Sequence, residues 1–432
     1  MRRLVVMNKI HNGDMSLRKI SWIVFFLMLI NICCSQETTS PPIKFGIDVL
    51  LDRELEVIQN QRVGLITNQT GVDANGTHVI DLLFRAPGVK LVALFAPEHG
   101  IRGDVEGGAT INDQQDPQTG VPIFSIYGAT NKPTPEMLAG VDVLVFDIQD
   151  VGTRFYTYIS TMSLCMEAAA ENNIHFVVLD RPNPITGAMV EGPVLEPEHA
   201  SFVGIHPIAL RHGMTIGELA QMFNEEGWLA NGVRCQLTVI PLEHWDRQSW
   251  YPELGWRWIK PSPNMTSPTT ALLYPGIGLL EACNVAEGRG TLRPFENIGA
   301  PWLDHNALAE LLRQENIPGI KFDTTSFVPI DLPGMAMNPK YEGQRCHGLA
   351  FSITDPHRFP AVSFGLHLIC AIKKLHPDKF AWKSPRSPLL MFGDDETPQA
   401  IDKGKSAREI LQSWQAKLEA FKQLREKYLL YK

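Results

Sequence analysis

Two short runs, Val141-Asp-Val-Leu-Val-Phe-Asp147 and His175-Phe-Val-Val-Leu-Asp180, constrain the fold of this 432-residue chain more than any other feature. Each is apolar at successive rather than alternate positions, so both faces of the extended segment must be covered. That happens in the middle of a parallel sheet with helices on either side. Shorter runs at Val63–Thr67, Leu91–Ala96, Ile123–Ile126 and Leu237–Pro241 alternate with helix-period stretches at His78–Arg85, Ile159–Asn172 and Thr215–Glu226. Strand and helix in alternation predict an α/β domain with an open, mostly parallel sheet over residues 45–265. A Pro/Trp-rich stretch, Trp245 to Pro268, then leads into a helix pattern around Asp304–Glu315, further mixed elements and a charged helix at Ala407–Tyr428. These predict a smaller α/β C-terminal domain over 266–432.

Composition agrees with a folded, two-domain chain: 44% of residues are apolar and 20% charged, enough to build a large core. The formal charge is -8, and no Lys/Arg cluster appears in the body of the chain, which excludes nucleic acid as the natural partner. Charge is uneven, however. The first 34 residues hold five basic groups and one acid (Asp14), so removing them leaves 34 against 46, or -12. Arg18 and Lys19 precede an apolar run, Ile20 to Ile32, followed by Cys33 and Cys34. Thirteen helical residues span only about 20 Å, short of a bilayer core of about 30 Å, so the segment reads as a cleaved signal. It fits simple secretion to the periplasm or cell envelope, or a lipoprotein signal with the lipid on Cys33 or Cys34. Residues 35–44 then form a tether, and translation starts at Met1 or Met15.

The remaining cysteines, at 165, 235, 283, 346 and 370, contain no CxxC pair, and the histidines no HExxH, so neither a disulfide framework nor a metal site is expected. Cys165 and Cys370 fall in apolar helical patterns and read as core. No GxSxG elbow and no GxGxxG fingerprint occurs, so serine-nucleophile and dinucleotide chemistry recede and no cofactor is expected.

Carboxylates are left. Parallel strands point their C-terminal ends at one edge, where ligands bind, and three of these strands end in polar clusters. Leu91–Ala96 runs into Pro97-Glu98-His99-Gly100, near Arg102; Val141–Ile148 contains Asp147 and runs on to Asp150, Arg154, Tyr156 and Tyr158; Phe176–Leu179 runs into Asp180, Arg181 and Asn183. Glu98, shielded at a strand end, suits general-acid work. Aromatic rings beside carboxylates suit a sugar, whose C–H faces stack on them. From the second domain, Glu287-Gly-Arg289-Gly290 offers a cation on a glycine-flanked loop, placed to reach back over the first domain.

At these residues the chain resembles the exo-β-N-acetylmuramidase (NamZ) family, formerly a domain of unknown function. The matching segments are Gly64-Leu-Ile-Thr-Asn-Gln-Thr-Gly71, Phe95-Ala-Pro-Glu-His-Gly-Ile-Arg-Gly103, Asp147-Ile-Gln-Asp-Val-Gly-Thr-Arg-Phe-Tyr156-Thr-Tyr158, Leu179-Asp-Arg-Pro-Asn-Pro-Ile-Thr-Gly187 and Glu287-Gly-Arg-Gly-Thr291. The resemblance implies a Rossmann-like N-terminal domain, a cleft between the domains, and release of N-acetylmuramic acid from the non-reducing end of peptidoglycan fragments. It also implies Glu98 as the catalytic residue. A second catalytic group is then expected from Asp147, Asp150 or Glu191, unless the 2-acetamido group of the sugar attacks internally. Arg154, Arg181 and Arg289 are the candidate cations for the lactyl carboxylate, and His99, Arg102, Tyr156, Asp180, Asn183, Glu191 and Glu287 complete the expected substrate contacts. Two other readings use the same cleft: a non-catalytic sugar-binding lipoprotein of the cell wall, and a peptidoglycan esterase or amidase with Glu98 and His99 as base.

Overall fold

The computed structural model describes residues 41–101 and 114–432. The export segment, most of the tether and Arg102 lie outside them. Among the described residues twelve strands follow in chain order: β1 (Arg62–Thr67), β2 (Lys90–Ala96), β3 (Gln114–Gln115), β4 (Pro122–Ser125), β5 (Val143–Asp147), β6 (His175–Leu179), β7 (Glu191–Val194), β8 (Ala209–Arg211), β9 (Leu237–Ile240), β10 (Asn297–Ala300), β11 (Ile320–Phe327) and β12 (Cys346–Ile353). The main sheet has the order β3-β4-β2-β1-β5-β6-β9. All its strands are parallel except the two-residue edge strand β3. The expected run at Val141–Ile148 is trimmed at its start, because Val141 closes a turn onto the Leu138 carbonyl and Asp142 donates to the Arg62 carbonyl.

The doubly apolar runs behave as their sequence requires. All five residues of β5 are buried. Leu144 and Phe146 join Phe176 and Val178 in the core on one face, while Val143 and Val145 join Val177 and Leu179 in the core on the other. Each such side chain contributes roughly 1.5–3 kcal/mol by leaving water. Chain order runs outward from β1 to β2 and β4 on one side, then restarts at β5 on the other. At that reversal the connections diverge, and a crevice opens beyond the C-terminal ends of the strands.

The second, C-terminal domain carries the antiparallel sheet β10-β12-β11. Its helices include Pro268–Ile277, His305–Gln314, Ala361–Leu375 and Ala407–Arg425. One hydrophobic core runs without a break from Phe146 and Phe176 to Leu349, Phe351 and Phe364. Helices Pro268–Ile277 and Ala361–Leu375 meet backbone to backbone: a Cβ on Gly276 would lie 2.0 Å from the Ala361 carbonyl oxygen. Only glycine permits that approach, and it fixes the helix that carries Tyr274 toward the crevice. Cys165 is fully buried, whereas Cys370 is only partly covered.

Candidate active site

Beyond β2 the chain turns sharply: Gly100 donates to the Pro97 carbonyl, and His99 and Gly100 both take left-handed backbone angles (φ 71° and 76°). A left-handed conformation at a non-glycine residue costs roughly 1–2 kcal/mol, which the surrounding bonds must over-determine. The turn leaves Glu98 half-buried above the sheet edge. Its Oε1 accepts from the Tyr127 hydroxyl at 2.8 Å and its Oε2 from the Thr157 hydroxyl at 2.9 Å. Tyr127 follows β4, and Thr157 is the N-cap residue of helix Tyr158–Glu171, yet its hydroxyl caps no helical N–H. A group normally used to start a helix is spent on orienting a carboxylate.

The facing wall comes from the second domain. Arg289 sits between Gly288 and Gly290, both left-handed (φ 81° and 77°). Its Nε and Nη2 donate to Glu281 Oε1 at 3.0 and 2.7 Å, Nε lies 3.5 Å from Glu287 Oε1, and the guanidinium covers the Phe295 ring at 5.1 Å. Lys340 Nζ binds Glu287 Oε2 at 2.9 Å and the carbonyls of Leu280 and Val285 at 2.8 and 3.0 Å. Burial alone would lower the pKa of the Arg289 guanidinium, but Glu281 and Glu287 overcome it and raise the pKa. Phe155, Tyr156, Tyr274 and Phe295 form an edge-to-face aromatic floor, with Tyr274 5.1 Å from Phe155 and 4.8 Å from Phe295. Burial raises the Tyr156 and Tyr274 phenols well above their ordinary range, so they are neutral donors. The cleft holds about 510 Å³, a size that fits a sugar.

The structure brings Glu98, His99, Tyr156, Glu287 and Arg289 together in this cleft. The other described residues expected there do not line it, and the reading of every polar strand end as ligand-facing is corrected accordingly. Asp147 has no exposure and is bound by Arg181 Nε at one carboxylate oxygen and Nη2 at the other, the latter at 2.9 Å; Arg181 also donates to the Val72 carbonyl. Asp150 accepts from the Gly152 N–H at 2.7 Å and faces His212 at 3.5 Å. Arg154, fully buried, donates to the carbonyls of Pro193, Ile208, Met391 and Phe392, and burial lowers its pKa to about 10. Asn183 accepts from the Ile185 N–H of its own loop and donates to the Met214 carbonyl beyond β8, and Glu191 holds Arg211 and the Val362 N–H. These groups sit beneath the crevice and lock strand ends and domains together.

Asp180 belongs to the same layer. It accepts from the Thr215 hydroxyl (2.7 Å), the Gly217 N–H (2.8 Å) and the Tyr431 hydroxyl (2.5 Å). Burial nevertheless pushes its pKa up to about 6. The folded protein therefore holds this proton at higher pH than the unfolded chain does. Its contribution to stability falls as pH rises from about 4 through 6 and is flat above. Tyr431→Phe removes a donor used by the ionised form, so the loss should be about 1–3 kcal/mol at pH 8 and distinctly smaller at pH 5. Denaturant unfolding at the two pH values checks this; equal losses would contradict it.

Residues that the sequence reading missed complete the cleft: Thr157, Asn264, Tyr274, Glu281, Lys340 and Lys383. Thr157 lay inside a recognised motif, between two tyrosines. Most of the others belong to the second domain, where nothing local marks them. Among the described residues, the one group with metal-ligand spacing, Glu196, His199 and Asp395, lies away from the cleft, and the Lys417 ammonium is already bound to Glu196.

Comparison with known proteins identifies the family. Residues 63–269 match the family described as "Exo-beta-N-acetylmuramidase NamZ, N-terminal", and 272–431 its C-terminal counterpart. The peptidoglycan β-N-acetylmuramidase NamZ of Bacillus subtilis (strain 168) is 45% identical over 397 residues, covering 92% of this chain and 93% of the relative. Two solved structures of DUF1343 family proteins from Bacteroides fragilis NCTC 9343 superpose with TM-scores of 0.82 and 0.74 at 39% and 34% identity, each covering 90% of this chain and 99% of the other. With both halves matched and a relative of this identity aligned along nearly its whole length, the chain belongs to the exo-β-N-acetylmuramidase NamZ family.

Proposed function

We propose that Glu98 is the general acid with which this chain, a peptidoglycan glycoside hydrolase, releases N-acetylmuramic acid from the non-reducing end of peptidoglycan fragments. One observation supports this most. Among the described residues lining the cleft, Glu281 and Glu287 are tied to Arg289 and Lys340, whereas Glu98 is held only by two neutral hydroxyls. Glu281 and Glu287 are committed to these cations, so Glu98 is the carboxyl left to meet the substrate.

Chemistry follows from that placement. Glu98 protonates the glycosidic oxygen as its bond to the anomeric carbon breaks, and the departing sugar leaves as an alcohol. Water adds to the anomeric carbon and releases its proton to solvent, from which Glu98 is reprotonated before the next turnover. Tyr127 and Thr157 hold the two carboxyl oxygens fixed while this happens, and the aromatic floor carries the C–H face of the sugar. Incubating the protein with a reducing-end-labelled muramic-acid–glucosamine oligosaccharide should give free N-acetylmuramic acid from the first turnover, with the labelled chain shorter by one sugar. Labelled fragments from mid-chain cuts would overturn the exo reading.

Export belongs to the same proposal, supported by Arg18 and Lys19 ahead of the apolar run Ile20 to Ile32. Lipid attachment at Cys33 or Cys34 is distinguished from simple secretion by the mass of the mature N-terminal peptide. Among the described residues no helix is long and apolar enough to cross a membrane.

A further inference from the structure

N-acetylmuramic acid differs from N-acetylglucosamine by a lactyl ether that carries a carboxylate, so a site that selects the former needs a cation with no carboxylate of its own. The cations first considered fail this test. Arg154 and Arg181 are buried beneath the crevice, Arg181 on Asp147. Arg289 is in the cleft but lies against Glu281 and Glu287, which would repel an arriving anion. Lys340 is likewise spent on Glu287 and two carbonyls.

Lys383 remains. It lines the same cleft, its side chain is exposed, and no hydrogen bond or ion pair engages its ammonium among the described residues. Its position is nonetheless fixed. The Lys383 N–H donates to the Ala282 carbonyl at 2.8 Å, Asn284 N–H to the Ala381 carbonyl at 3.0 Å, and Cys283 pairs with Trp382 as a β-bridge. Its strand-like segment is thus stapled to the stretch joining Glu281 to the Arg289 loop. Charge points the same way: with Arg289 and Lys340 balanced by Glu281 and Glu287, the described lining leaves Glu98 and Lys383 unmatched. When Glu98 holds the proton it is to donate, the cleft carries one positive charge, at Lys383.

We propose that Lys383 receives the lactyl carboxylate and so sets the preference of this enzyme for muramic acid over glucosamine at the non-reducing end. This rests on the muramidase reading above. A charge-assisted contact of this kind changes affinity by roughly 10- to 100-fold. The flexible lysine stem lets the ammonium follow the lactyl group, whereas the guanidinium of Arg289 is immobilised.

The test compares a chromogenic N-acetylmuramic acid β-glycoside with the same compound whose lactyl acid has been converted to the amide. The wild-type protein should prefer the acid by about 10- to 100-fold in kcat/KM, chiefly through KM. Lys383→Met should reduce that preference to within about threefold, and Lys383→Arg should restore most of it. Retention of the full preference by Lys383→Met overturns the proposal. If wild type cleaves neither compound, the muramidase reading fails by itself, and calorimetric binding of N-acetylmuramic acid and its amide to both proteins reads the same contact. There, equal loss or equal retention of the two ligands on substitution overturns the role of Lys383.

Discussion

Glu98→Gln should lower kcat for release of N-acetylmuramic acid from a muramic-acid–glucosamine disaccharide at least ~100-fold, with KM changed by only a few-fold. Glutamine is nearly the same shape, and its carbonyl oxygen still accepts from one of the two hydroxyls, Tyr127 or Thr157, that now hold the carboxyl. The second hydroxyl can rotate to accept from the new amide N–H. Substrate binding and fold are therefore preserved, while the amide has no proton of suitable acidity to give. The magnitude follows from what a positioned acid contributes to such a step, typically 10²–10⁴-fold. Unchanged unfolding alongside the kinetic loss shows that the chemistry, not the fold, was removed. A variant that folds and turns over at the wild-type rate would displace Glu98 from its role.

The largest effect on stability should come from a residue that looks catalytic in the sequence. Asp147→Ala leaves the guanidinium of Arg181, only 3% exposed, with the Val72 carbonyl as its remaining hydrogen-bond partner and the Phe45 ring beside it. Breaking a buried pair by removing one member strands the other charge in a poorly solvating interior, a cost of about 3–5 kcal/mol. Burial on its own pushes the Asp147 carboxyl pKa up, and Arg181 opposes it, so the pair depends on both members being present. Urea unfolding should show the loss, and the fraction that remains folded should keep near-normal turnover, because Asp147 does not line the cleft. Replacing both residues, as Asp147→Leu with Arg181→Met, should recover most of the stability, since a well-packed apolar pair of similar volume can match a buried ion pair. Normal stability with lost activity in Asp147→Ala would return that residue to the catalytic set.

The fold was legible because strands buried on both faces announce themselves: β5 and β6 could be placed nowhere but the centre of a parallel sheet. The site was legible only in part, for a physical reason. Polar residues gather at the C-terminal ends of parallel strands either to meet a ligand or to satisfy and lock the loops that turn there, and composition is the same in both cases. Asp147 is the last residue of its strand, so the pleat fixes its side chain within the sheet layer against Arg181. Glu98 lies two residues past the end of β2, immediately before the left-handed pair His99 and Gly100 that turns the chain away from the sheet. That difference of two residues decides between brace and acid, and no periodicity reports it. The opposite wall was harder still. Glu281, Lys340 and Lys383 reach the cleft through domain packing, and their local sequence carries only the signals of a helix end, a loop and a short extended segment.

The most direct measurement is the Glu98→Gln loss compared across two leaving groups. A general acid matters only when the departing oxygen needs its proton. On the natural disaccharide, whose leaving group is a sugar alkoxide, the variant should lose at least ~100-fold. On the 4-nitrophenyl glycoside, whose phenolate departs unprotonated, the loss should shrink below about tenfold. An equal loss on both substrates would contradict acid catalysis by Glu98 and place it instead in the step at the anomeric carbon.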